Sequence, residues 1–174
     1  MSISYRKKPR DQRNPIEKMA AKIHLREFPE EYDYTFDSIA DAKTRRAGNN
    51  PMALSYIEQV NQQRSLRGVS PLGDNGNPTD KSSHTWALNK AKNEFTVLLD
   101  HALYHNDPMG TCCVQNYSIG EYENITLGVI QRLDKELLHQ AILNELTSWF
   151  DAELVNRPQV HEAVMRTLTD LVGE

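Results

Sequence analysis

Cysteine is almost missing from this chain: 174 residues hold two, and these are neighbours, Cys112 and Cys113. Backbone geometry strongly disfavours a ring between adjacent cysteines, so no disulfide framework is expected and the fold must stand on its core. A reducing, cytoplasmic setting is the corresponding expectation. Long apolar runs are missing as well. No segment approaches the roughly 18 uncharged residues of a membrane span, and the basic start MSISYRKKPRDQRNP leads into no apolar stretch of the secretory kind. Catalytic signatures are equally scarce. Lys81-Ser82 follows Asp80 with no glycine before the lysine, so the backbone cradle of a phosphate loop is lacking, and no Ser or Cys occupies a nucleophile elbow. The chain is therefore read as a non-enzyme without cofactor, membrane partner or metal.

What is present is charge of opposite sign in the two halves. Residues 1–70 carry 13 Lys/Arg against 9 Asp/Glu, and residues 71–174 carry 7 against 15, giving +4 and −8. Such a split suits a basic arm for polyanions and an acidic helical body for a protein partner.

Helical periodicity dominates, and Asn-Pro pairs punctuate it, since Pro suits the first turn of a helix and Asn the cap before it. The expected fold is all-α, an irregular multi-helix bundle with a mobile basic tail over residues 1–13. A single helical domain over 14–174 divides into a basic helical part (14–68), a loop (69–83) and an acidic helical part (84–174). Asn14-Pro15 opens a first helix with Ile16, Met19, Ala20 and Ile23 on one face, and Pro29 ends it. FDSIADAKTRRAG predicts a second, and Asn50-Pro51 opens a third along Leu54, Ile57 and Val60. A helix through Trp86 to Leu103 stops near Asn106-Asp107-Pro108, and a short extended segment is expected at 112–117. Ser118 and Glu121 have capping-box spacing for a helix through Ile125 to Leu133. Further helices follow over 137–150 and from Pro158 to Gly173.

Two constellations could hold metal. His101 and His105 stand one helical turn apart, with Cys112 or Cys113 close in sequence, and together they form the alternative reading of a metal-binding protein or metalloenzyme. Glu136 and His139 form one Glu-x-x-His, of which di-iron bundles need two, and the chain has no second copy. The basic residues point instead to phosphate. Arg6, Lys7, Lys8, Arg10 and Arg13 crowd the tail, Lys43, Arg45 and Arg46 close the second helix, and Arg64 and Arg67 close the third. Converging, they would make a cationic surface for DNA without sequence preference; a duplex-DNA-binding regulator is the other reading, although the turn at Gly48 leads into no clear recognition helix. Tyr5, Tyr32 and Tyr34 could stack on bases.

The running segments SYRKKPRDQRNPIEKMAAKIHLREFPE, RRAGNNPMALSYIEQVNQQR, HTWALNKAKNEF, NDPMG, QNY and GEYENITL resemble the replication gene B proteins of P-two-like temperate coliphages, the peduoviruses. The resemblance extends over the whole chain and includes no catalytic signature. It implies a phage DNA-replication factor that acts in the host cytoplasm with the host replicative DNA helicase and helps load that helicase on phage DNA. It carries over no individual site residue.

Overall fold

The computed structural model describes residue 9 and residues 12–32, 51–74 and 76–172. It is all-α: seven α-helices and no strand among the described residues, with one isolated bridge, Leu72 to Pro78. The helices are α1 (Pro15–Glu27), α2 (Pro51–Leu66), α3 (Ser82–Asn106), α4 (Glu123–Arg132), α5 (Leu138–Trp149), α6 (Ala152–Val155) and α7 (Pro158–Val172). Three of them begin on the proline that the sequence marks. None is long and apolar enough to cross a membrane among the described residues. The expected second helix, with the turn at Gly48, lies outside the described residues.

Packing groups the described residues into two compact units, 1–13 with 17–91 and 14–16 with 92–174. The divide falls inside α3 rather than in the loop over 69–83, and the reason is how that loop is fastened. Asn61 of α2 accepts a hydrogen bond from the Leu72 amide at 2.7 Å and donates to the Leu72 carbonyl at 3.1 Å, as a neighbouring strand would. Ser82 Oγ accepts from the Ser70 amide at 2.8 Å. These bonds fasten the start of the loop to α2 and α3 within the first unit, whose core includes Ala20, Ile23, Phe28, Ile57, Val69, Leu72, Ala87 and Ala91.

In the second unit α4 packs on α5, and α5 packs on α6 and α7. Its buried face is built from Leu99, Leu103, Val129, Ile130, Ala141, Ile142, Leu146 and Val164. Where α4 faces α5, Gly128 leaves room for the Glu145 carboxylate, which an added Cβ would displace. That carboxylate accepts from Arg132 Nε at 2.7 Å and from Trp149 Nε1 at 2.9 Å.

Two local expectations are corrected. Residues 112–117 form turns, not an extended segment, because Cys112 and Tyr117 adopt left-handed φ of 58° and 54°. Asp107 holds this stretch: its carboxylate accepts from the Thr111 and Cys112 amides and from the Tyr122 hydroxyl at 2.8–2.9 Å. Ser118 is not a helix cap either. Gly120 at φ 91° interrupts the run, so α4 starts at Glu123 behind Tyr122, which gives no side-chain cap.

Candidate functional site

Where the first unit is driest it is also most polar. Helix α1 ends because Pro29 cannot continue it, and the chain turns through a 3-10 segment, Pro29–Glu31, that carries two carboxylates inward. His24 lies on the buried stripe of α1 with Ala20 and Ile23, and is itself fully buried. From the first turn of α3 come Ser83, fully buried, and His84, half-buried. Arg64 extends the Ile57–Val60 stripe of α2 into the same place and is 1% exposed.

Arg64 Nη1 donates to Glu30 Oε1 at 2.9 Å and to Glu31 Oε1 at 2.8 Å, and its Nε donates to the Ser70 carbonyl at 2.8 Å. His24 Nδ1 lies 2.8 Å from the Tyr32 hydroxyl and its Nε2 lies 3.1 Å from Ser83 Oγ. The second Glu31 oxygen, Oε2, is 3.2 Å from His24 Nε2 and 3.9 Å from His84 Nε2. It is buried and has no hydrogen bond of acceptable geometry. Burial alone would raise the Glu31 carboxyl; the His24, Ser83 and Arg64 groups beside it outweigh burial and hold it at about 2. The His24 and His84 rings stack at 3.9 Å and 10°. Beyond them Phe28 meets Trp86 edge-on, with Arg67 over both rings and Lys90 over Trp86.

Arg64 is thereby corrected as a phosphate contact, since it is 1% exposed, its Nη1 and Nε are held by Glu30, Glu31 and the Ser70 carbonyl, and its remaining Nη2 is buried without a hydrogen bond. Arg67, half-buried, donates to the Glu27 carbonyl and pairs with the Glu27 carboxylate at 3.5 Å. Arg6, Lys7, Lys8, Arg10, Lys43, Arg45 and Arg46 lie outside the described residues, as do Tyr5 and Tyr34, and Tyr32 serves His24. Arg13 is half-buried and lines an open groove of about 420 Å³ with Lys18, Ala21, Lys22 and Leu25. The sequence reading passed over Lys18 and Lys22, both exposed and one turn apart on α1.

The alternative metal set does not assemble. His101 Nε2 and His105 Nε2 lie 3.0 Å apart on the exposed face of α3. Cys113 is buried, donates toward the Tyr104 carbonyl at 3.2 Å and has its thiol pushed up by burial, while Cys112 is exposed. Glu136 is occupied by Arg132 and Asn144. Among the described residues the one cluster of three whose donor atoms come together is His24, Glu31 and His84, with all three atoms within 4.8 Å of one another. One signal was available for it: polar His24 and Arg64 interrupt otherwise apolar helix stripes, which marks a buried polar group. Their meeting has no sequence signal, because Arg64 and His84 stand 33 and 53 residues from Glu31 in the chain.

No protein-family model matches this chain, and no curated protein or solved structure matches it.

Proposed function

We propose that this chain is a DNA-replication accessory protein that binds the replicative helicase of its host and helps load it on phage DNA, in the host cytoplasm. The reading rests on the sequence resemblance and on the opposite net charge of the two compact units. Residues 1–91 carry 15 Lys/Arg against 11 Asp/Glu, a net +4, and residues 92–174 carry 5 against 13, a net −8. An adaptor needs two separate surfaces of different chemistry. Cations of the basic unit suit DNA phosphates, with Lys18 and Lys22 of α1 joining the tail residues. The acidic unit exposes Leu127, Leu137, Trp149 and Met165 among its carboxylates, a mixture of apolar anchors and charge that suits a protein interface.

The test is capture of purified host replicative helicase by the full chain. Stable capture at moderate salt is expected, with at least a tenfold loss for Leu137→Asp, whose side chain is 83% exposed and supports no core. No capture at any salt, with the chain still helical by circular dichroism, would remove the helicase from this proposal.

A further inference from the structure

Two carboxylates, Glu30 and Glu31, are buried around one guanidinium, and Arg64 is the one fixed cation paired with either among the described residues. One negative charge is left over in a dry environment, where an uncompensated ion is expensive. The remainder sits on the Glu31 side, since Oε1 faces Arg64 while buried Oε2 faces two imidazoles without a hydrogen bond to either.

One pair of donors already has the spacing of a coordination shell. Bonds of about 2.0–2.2 Å from a tetrahedral ion to nitrogen and oxygen put neighbouring ligands roughly 3.3 Å apart. His24 Nε2 and Glu31 Oε2 stand 3.2 Å apart, and an ion there would replace the hydrogen bond of His24 Nε2 with Ser83 Oγ. The more exposed His84 Nε2 is somewhat farther from Glu31 Oε2, at 3.9 Å. His24 also has the outer support of a metal ligand, its other nitrogen lying 2.8 Å from the Tyr32 hydroxyl, which orients the ring. We propose that His24 Nε2, Glu31 Oε2 and His84 Nε2 bind one divalent cation of the zinc class between the end of α1 and the start of α3, with water completing a tetrahedral shell. An imidazole binds metal in its ring plane, so a stacked pair cannot serve one ion as it stands. Ligation turns His84 out of the stack, and its side chain, 13% exposed at the first turn of α3, is the one of the two at the surface. This set shares no residue with the His101, His105 and cysteine alternative, and it departs from the metal-free expectation of the sequence.

The experiment uses the full chain, stripped with chelator and titrated with Zn²⁺ and separately Co²⁺. Expected are one zinc per chain by elemental analysis, a higher melting midpoint with Zn²⁺, and visible absorption of tetrahedral Co²⁺. His84→Ala should keep the circular dichroism spectrum while weakening zinc at least tenfold; Glu31→Gln should do the same if folded. His101→Ala/His105→Ala serves as the second measurement and should leave affinity and Co²⁺ spectrum unchanged. Three results would each overturn the site: no zinc bound at micromolar concentration, zinc that survives His84→Ala, or zinc lost in His101→Ala/His105→Ala.

Discussion

Glu31 is the residue whose surroundings set its behaviour most sharply. Its carboxyl is depressed from an ordinary 4.5 to about 2, against the burial that would raise it. A depressed carboxyl contributes stability above its unfolded value and loses it as pH falls through the folded one, so its share disappears between about pH 4.5 and 2. Asp107 is lowered too: burial opposes the shift, and the hydrogen bonds from Tyr122, Thr111 and Cys112 overcome it. The share of Glu31 is therefore read as a difference. The melting midpoint of the native chain should fall toward that of Glu31→Gln as pH drops from 5 to 2, and parallel curves would refute the assignment. Arg64→Ala leaves two buried carboxylates facing each other, and a loss of about 3–5 kcal/mol is expected in urea unfolding. A loss under 1 kcal/mol would mean that the carboxylates reach water or protonate easily.

At the scale of elements, the missing methyl group of Gly128 makes room between α4 and α5 for the Glu145 carboxylate. Alanine ordinarily favours a helix over glycine by about 1 kcal/mol. At position 128 the added Cβ would press on Glu145 Oε1 and force that carboxylate away from Arg132 and Trp149. Gly128→Ala is therefore expected to destabilise by about 1–3 kcal/mol. In a Glu145→Ala background the obstacle is gone and the same substitution should be neutral or stabilising. A double-mutant cycle measures this change of sign; equal effects in both backgrounds would show that Glu145 is not what Gly128 accommodates. The loop after α3 follows the same logic, since Asp107 satisfies amides that no helix or strand pairs.

The whole molecule carries its opposite charges on separate units, and the DNA binding proposed for the basic one is tested by salt. Counterion release gives a slope of about −0.9 per phosphate contact on duplex DNA. Lys18→Glu/Lys22→Glu changes two exposed residues outside the core. It should lower affinity alike on unrelated sequences and flatten the slope by roughly 2 if both lysines meet phosphate. Replacing Arg6, Lys7, Lys8 and Arg10 by Gln should act in the same direction. Unchanged affinity and slope in both variants would leave the proposed replication role to protein contacts alone.

Periodicity and punctuation determined the helical class and most helix starts, because the 3.6-residue repeat and the Asn-Pro pairs act through neighbours in the chain. Pro15, Pro51 and Pro158 each stand at a helix start for that reason. The same local rules placed a cap at Ser118 and failed, since the left-handed turns before α4 depend on Asp107 and Tyr122, fifteen residues apart. Residue identity likewise suggested basic helix ends at Arg64 and Arg67. Only the tertiary structure turned Arg64 inward, by bringing Glu30 and Glu31 to it from more than thirty residues away. It also decided the position of the His24, Glu31 and His84 cluster and the division inside α3. Each depends on which distant side chains share one dry space, and burial there turns ordinary polar residues into a coupled site.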